Sequence, residues 1–173
     1  MKKEYLGDSY DAVKRLWRDL LQDWAPLFAD GRFIPEDIRE HFSLFTKIPI
    51  LKELPQESFS VLNDPDTGIR LPGEINQKEG RTHISITTIV DQLKINKINC
   101  VVTFDQSYHR KGKGSHKDQR ITKMDEIREK GFYSFYYVSH APFLFACPSK
   151  TLLIELKNLL KEAGVPEFRI EKR

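Results

Sequence analysis

The sequence lacks several features that would assign it to a class at once. It has only two cysteines, Cys100 and Cys147, and both lie in apolar segments, so we expect free buried thiols and a reducing compartment. No apolar run reaches the roughly 18 residues that a membrane-spanning helix needs. The charged start, with Lys2, Lys3 and Glu4, does not have the composition of a signal peptide. These absences predict a cytoplasmic protein with no membrane partner.

Common nucleotide-binding and hydrolase signatures are also missing. The chain contains neither Gly-x-x-x-x-Gly-Lys-Ser/Thr nor Gly-x-Gly-x-x-Gly, which excludes a P-loop and an ordinary dinucleotide site, and it has no Gly-x-Ser-x-Gly elbow. Asp66–Gly68 has the letters of the aspartic-protease triplet, but Pro65 precedes it in place of an apolar strand. An EF-hand loop is excluded because Ile69 stands where that loop needs glycine and Ile75 where it needs glutamate.

The charge of the chain is small but unevenly distributed. With 28 basic and 25 acidic residues the net charge is +3, too little to indicate a nucleic-acid partner by itself. The segment His109–Lys117 concentrates four full positive charges and two histidines in nine residues. This segment either follows a phosphate chain or is a solvated loop with nothing bound. The candidate phosphate-binding residues in it are Arg110, Lys111, Lys113 and Lys117.

Strand-like and helix-like segments alternate along the 173 residues, which suit a single domain over residues 1–173. Lys3–Leu6 is predicted as a first strand, and Asn99–Phe104 is the clearest strand because it is continuous, apolar and β-branched. Apolar residues at helical spacing predict helices over about residues 10–23 and around Ile38, Ile89, Met124 and Leu156. The link between strands Phe135–Val138 and Phe143–Cys147 is too short for a helix, so these strands should form a hairpin. The pattern predicts an α/β fold: a Rossmann-like three-layer domain whose mainly parallel sheet has an antiparallel strand from this C-terminal hairpin.

Polar residues follow four of the predicted strands, Lys3–Leu6, Phe59–Leu62, Asn99–Phe104 and Phe135–Val138, at the point where each strand ends. They are Gly7-Asp8-Ser9-Tyr10-Asp11, Asp64-Pro65-Asp66, Asp105-Gln106-Ser107 and Ser139-His140. Because ligands of such sheets bind beyond the carboxyl ends of the strands, we expect these residues to meet at one edge. Clustered carboxylates stay together comfortably only when a cation or a proton relieves their charge.

This convergence favours a site for Mg²⁺ or Mn²⁺, which prefer oxygen ligands. The predicted metal ligands are Asp11, Asp64, Asp66 and Asp105. The predicted catalytic residues are Asp8, Asp105 and His140, the last as a general acid or base, a role suited to imidazole. Ser107 joins the candidate substrate-binding residues. The resulting hypothesis is a metal-dependent enzyme that hydrolyses a phosphodiester in a phosphate-bearing substrate such as a nucleic acid or nucleotide.

The same residues also have simpler structural interpretations. Asp8 is a natural helix cap and Asp11 a favourable first-turn residue, while Asp64–Gly68 has good turn composition. His140 lies in a tight hairpin link, where it could simply be hydrogen-bonded. A non-catalytic module that binds nucleic acid or protein through the basic segment and the aromatic stretch Phe132–Tyr137 is a further alternative, although aromatic residues in a strand are commonly core.

The chain also resembles two known groups of proteins. Asn63-Asp64-Pro65-Asp66, placed after a strand, resembles the Asp-Pro-Pro-Tyr signature of Rossmann-fold amino-methyltransferases, and the order of elements over the last two thirds of the chain is similar. The resemblance implies that Asp64 and Pro65 hold the amino group of a nucleoside and that S-adenosylmethionine is a cofactor. Asp66 and Thr67 replace the other two signature residues, and the glycine-rich S-adenosylmethionine loop is missing. The four polar segments together also look like a bacterial protein family, a resemblance that implies no activity.

Overall fold

The structure is a computed structural model that describes residues 3–71, 81–108 and 114–172. Arg110, Lys111 and Lys113, three of the predicted phosphate-binding residues, lie outside the described residues. The helices are α1 (Ser9–Leu21), α2 (Arg39–Thr46), α3 (Ile86–Leu93), α4 (His116–Glu129) and α5 (Lys150–Glu162). The strands are β1 (Leu27–Ala29), β2 (Phe59–Asn63), β3 (Gly68–Ile69), β4 (His83–Ile84), β5 (Ile98–Phe104), β6 (Tyr133–Tyr137), β7 (Phe143–Cys147) and β8 (Ile170–Glu171).

Six of these strands form one mixed sheet in the order β1-β2-β5-β7-β6-β8. β1, β2 and β5 are parallel to one another, whereas β7 is antiparallel to both β5 and β6, and β8 is antiparallel to β6. β1, β2, β5 and β6 therefore run in one direction. β3 and β4 pair separately. The predicted α/β class, the mostly parallel sheet and the C-terminal hairpin β6–β7 are confirmed.

Neighbouring strand residues belong to two different hydrophobic cores. Val102 and Phe145 pack in a core with residues of α1, α2 and α5, whereas Val101 and Leu144 pack in a core with residues of α3 and α4. The free thiols of Cys100 and Cys147 are buried, as predicted, and burial raises the pKa of the Cys100 thiol well above its ordinary value. Across the described ranges, no helix combines the length and the apolar composition that crossing a membrane requires.

The prediction of a first strand over Lys3–Leu6 is wrong. Lys3–Tyr5 forms a short 3₁₀ helix, and the first strand is Leu27–Ala29, which pairs with Ser60–Leu62 of β2. Three residues are too few to carry a periodic signal, and hydrogen bonds to β2 decide their conformation. The polar segment around Asp8 therefore reaches the sheet as the start of a helix and not as the end of a strand.

Candidate functional site

The carboxyl ends of β2, β5 and β6 lie at one edge of the sheet, and a cavity of about 490 Å³ lies at this edge. Residues from three of the four predicted polar segments meet in it, and we call it the acidic cavity. Its lining residues are Asp8, Tyr10, Lys14, Asp64, Pro65, Asp66, Thr67, Thr82, Phe104 and Gln106. The expectation that these segments converge on one rim agrees with this geometry.

A second cavity of about 290 Å³ adjoins the first, and Gln106 lines both. The Nε2 atom of Gln106 donates hydrogen bonds to the Tyr10 hydroxyl (2.7 Å) and to the carbonyl oxygen of His140 (2.9 Å). The remaining polar segment, Ser139–His140, therefore joins the rim at this point. We call this space the histidine cavity. Its lining residues are Asp105, Gln106, Ser107, His116, Arg120, Val138, Ser139, His140 and Pro142.

Two of the predicted metal ligands are held by a buried lysine. The Lys14 ammonium lies 2.9 Å from Oδ1 of Asp11 and 2.7 Å from Oδ2 of Asp64. The second oxygen of Asp11 accepts a hydrogen bond of 2.7 Å from the backbone N–H of Gly7. All three charged side chains are buried, and burying charges is tolerated when they are paired in this way. An ammonium thus lies between the two acids where a metal was expected.

Both carboxylate oxygens of Asp105 also accept hydrogen bonds from protein groups. Its Oδ2 accepts hydrogen bonds from the Lys123 ammonium and the Tyr136 hydroxyl, both at 2.7 Å, and its Oδ1 accepts one from the backbone N–H of Ile69 at 2.8 Å. The Ser107 hydroxyl lies 2.5 Å from that Oδ1 and 2.7 Å from the Lys123 ammonium. Only 1% of the Asp105 and Lys123 side chains is exposed. We call these five residues the Asp105 cluster; it joins β3, β5, α4 and β6.

The Mg²⁺ or Mn²⁺ site stays a prediction. Within residues 3–71, 81–108 and 114–172, no group of three or more His, Cys, Asp or Glu side chains is arranged to hold a metal ion. Asp11 and Asp64 share Lys14, and Asp105 has Lys123. Direct metal binding by these acids would therefore require them to give up ammonium partners that already offset part of their charge.

The other predicted residues are more accessible. Asp8 is half-buried and accepts hydrogen bonds from two backbone N–H groups of α1, which confirms its role as a helix cap. Asp66 is half-buried at the acidic cavity. His140 is exposed at the histidine cavity, and its ring lies 5.6 Å from that of Tyr10. Lys117 is exposed in the first turn of α4, where its role in phosphate binding stays a prediction.

Neither Lys14 nor Lys123 was predicted as a site residue from the sequence, although the position of each within its helix pattern indicates that it is buried. Lys14 lies three residues before the buried Trp17, and Lys123 lies four residues before the buried Ile127. Both lysines therefore occupy the apolar face of a helix. A charged residue on such a face requires a buried partner of opposite charge. The sequence alone does not say which acid that partner is.

The protein is expected to lose stability in alkaline solution. Burial alone would lower the pKa of Lys14, but the charges of Asp64 and Asp11 outweigh it and raise that pKa above its ordinary 10.5. Burial, together with the charge of Asp105, raises the pKa of Tyr136 well above its ordinary 10.0. Both groups hold their protons more tightly in the folded state, so their stabilisation is complete below about pH 10 and is lost as the pH rises through the folded pKa values.

Urea denaturation between pH 7 and pH 11 measures this loss. The midpoint should stay nearly constant to about pH 8.5 and then fall, since the unfolded chain releases the protons of Cys100, Tyr136 and Lys14 before the folded protein does. Tyr136→Phe removes one of these three groups and should make the fall shallower. A midpoint that is unchanged at pH 11 would contradict the prediction.

The rim therefore combines an acidic cavity with a histidine cavity, and two lysine–aspartate groups form their walls. These features are suited to holding a polar organic molecule and, through His140 and His116, to moving protons or binding an anion. Comparison of the chain with protein-family models, with curated proteins and with solved structures finds no match.

Proposed function

We propose that the chain binds a nucleoside-sized molecule in the acidic cavity and recognises it by an amino group. The observation that carries this proposal is the charge of the lining. Three carboxylates, those of Asp8, Asp64 and Asp66, face one ammonium among the described lining residues. That ammonium, Lys14, is already bound to Asp11 and Asp64. Among the described lining residues, carboxylates therefore outnumber ammonium groups by three to one, and hydrogen-bond acceptors are abundant.

The charge excess decides which ligand groups the cavity favours. An anion such as a phosphate would be repelled by the carboxylates, and this repulsion is strong where the walls exclude water. An amino group is favoured because it donates hydrogen bonds to carboxylate oxygens, and such bonds to charged groups are stronger than neutral ones. A carbonyl oxygen placed against the same carboxylates would find acceptors there and no donor. The cavity should thus discriminate amino groups from carbonyl groups.

The walls of the cavity support a flat ligand of this kind. Its volume of about 490 Å³ lies within the ordinary range of small-molecule pockets, roughly 300–1,000 Å³. The rings of Tyr10 and Phe104 both line it, with centroids 5.6 Å apart, and Gln106 holds the Tyr10 hydroxyl. Aromatic walls beside carboxylates suit a heterocyclic base with an exocyclic amino group.

Two sequence-based predictions bear on this proposal. The resemblance of Asp64 and Pro65 to the amino-methyltransferase signature supports it, since that resemblance implies binding of a base amino group. The hypothesis of metal-dependent phosphodiester hydrolysis has less support, because Lys14 and Lys123 supply the counter-charge that a metal was expected to supply. The proposal includes a Rossmann-like three-layer arrangement, supported by the two cores that alternate strand residues enter.

Matched pairs of nucleosides test the proposal. Calorimetric titration with adenosine and cytidine should give measurable binding, whereas inosine and uridine, which have a carbonyl group in place of the amino group, should bind at least 10-fold more weakly. Losing a hydrogen bond to a charged group costs about 1.5–3 kcal/mol, which corresponds to roughly 10- to 150-fold in affinity. Equal affinities within each pair, or no binding of any of the four, would contradict it.

Asp66→Asn tests the cavity itself. Asp66 lines the cavity and is half-buried, so removing its charge should weaken adenosine binding by about 10-fold or more. The matched control is Asp19→Asn, which removes the same charge at an exposed position of α1 and should leave the affinity unchanged.

S-adenosylmethionine and Mn²⁺ serve as further ligands in a thermal-shift assay, since a ligand of the folded state raises Tm. A rise with Mn²⁺ alone would favour the metal hypothesis instead.

A further inference from the structure

We infer that the histidine cavity is a phosphate-binding subsite in which His116 and His140 donate hydrogen bonds to a phosphate monoester. Both imidazoles line this cavity of about 290 Å³, although they come from distant parts of the chain. His116 is the first residue of α4, and His140 lies in the link between β6 and β7. The fold therefore brings two imidazoles to one small space.

Each imidazole is held by a tyrosine. The ring of His116 stacks on that of Tyr108 with centroids 3.7 Å apart and an angle of 13° between the planes. The ring of His140 packs against that of Tyr10 at 5.6 Å, and Gln106 binds both that tyrosine and the carbonyl oxygen of His140. These contacts restrict the orientation of the two imidazoles before any ligand binds, which reduces the entropy lost on binding.

The charges around the histidine cavity are arranged differently from those of the acidic cavity. Asp105 is the acidic residue in the described lining of this cavity. Its Oδ2 atom lies 2.7 Å from the Lys123 ammonium. Arg120, which also lines the cavity, is bound to Glu171 at 2.7 Å. Asp105 and Glu171 therefore already have basic partners, so a phosphate entering this cavity does not meet the carboxylates that line the acidic cavity.

Other charged groups follow His116 in the first turn of α4. Lys117 is exposed there, and the Asp118 carboxylate accepts hydrogen bonds from the backbone N–H and the hydroxyl of the Ser115 cap. A phosphate monoester carries nearly two negative charges at neutral pH and three strong acceptor oxygens. Imidazole N–H groups donate hydrogen bonds to such oxygens, and hydrogen bonds to a charged group are stronger than neutral ones. The half-buried Ser107 hydroxyl adds a further polar group to the lining.

The two cavities together define a ligand class. The nucleoside part of this ligand rests on the proposed function, in which the acidic cavity holds an amino-bearing nucleoside. The phosphate then lies beyond Gln106, which both cavities share, and the ligand is the phosphate monoester of that nucleoside. The phosphate subsite itself depends only on the histidine cavity and can be tested separately.

Histidine side-chain NMR with inorganic phosphate tests the subsite. At pH 7, phosphate should shift the Cε1–H resonances of His116 and His140 along one saturable curve, while that of His41, exposed on α2, serves as the internal control. His116→Gln and His140→Gln should each weaken phosphate binding by about 10-fold or more, as expected for the loss of a charge-assisted hydrogen bond. Both residues are exposed, so each variant should keep its Tm. Unmoved resonances, or equal shifts at His41, would overturn the inference.

A second measurement separates this inference from the proposed function. Adenosine 5′-monophosphate should bind more tightly than adenosine, and the ratio of the two affinities should fall about 10-fold in His116→Gln, in line with one charge-assisted hydrogen bond. If phosphate and the nucleotide bind while adenosine does not, the proposed function fails and the subsite stands. If adenosine binds and the phosphate adds no affinity, the subsite fails alone.

Discussion

Replacement of Lys123 by methionine is expected to lower the free energy of unfolding by about 3–5 kcal/mol, the usual cost of removing one member of a buried ion pair. Methionine has a similar volume, so the loss does not come from a cavity. It comes from Asp105, whose carboxylate remains 1% exposed without its ammonium. Urea denaturation followed by circular dichroism measures the change.

Two variants show whether charge pairing is the cause. Arg128→Met removes a cation from an exposed position of the same helix and should change stability by less than about 0.5 kcal/mol. Asp105→Asn in the Lys123→Met background removes the unpaired charge and should recover part of the loss. If Lys123→Met costs no more than Arg128→Met, the pair does not stabilise the fold.

Gly68→Ala is expected to destabilise the protein by about 3 kcal/mol or more, because backbone strain and overpacking add. Gly68 has a φ of +137°, a conformation that side-chain-bearing residues rarely adopt. A Cβ atom there would also lie 2.2 Å from Oδ1 of Asp105 and 2.7 Å from its Cα. The substitution therefore requires the Asp105 cluster to move.

Gly164→Ala serves as a control without the collision. Gly164 also has a positive φ, +86°, but a Cβ atom there meets nothing within 4 Å. Its φ lies closer to the left-handed region that residues with side chains can adopt, so the substitution should cost only about 1 kcal/mol. The additional loss at Gly68 in urea denaturation reports the displacement of Asp105 together with the greater strain of φ +137°. Equal losses at Gly68 and Gly164 would contradict the collision.

The location of the candidate site was largely predictable. Asp64, Asp105 and His140 follow strands, and the rule that ligands bind beyond the carboxyl ends of parallel strands placed them at the rim where the structure has them. The chemistry of the site was not predictable in the same way. Asp64 pairs with Lys14, which lies 50 residues earlier in the chain, and no local pattern links the two. An interpretation as a metal site followed naturally when the counter-charges were unknown.

The fold, like the site, was predictable where a local sequence pattern specifies the structure and not where distant residues decide it. β5 and the β6–β7 hairpin were predictable because long apolar runs and a short link specify strands locally. β1 and β8 were missed because segments of three and two residues become strands only when a neighbour supplies hydrogen bonds. Lys3–Leu6 was predicted as a strand but forms no strand, so the segment around Asp8 starts a helix and does not end a strand; it still reaches the rim.

The sequence by itself determined the α/β class, the clear strands and the position of polar residues at their ends, because periodicity and turn composition act over a few residues. Only the tertiary structure decided which charge meets which. It paired Lys14 with Asp64 and Lys123 with Asp105, and it brought His116 and His140 to the lining of one cavity. The physical reason is that a buried charge is satisfied by whichever partner packing brings within a few ångströms, and such partners are distant along the chain.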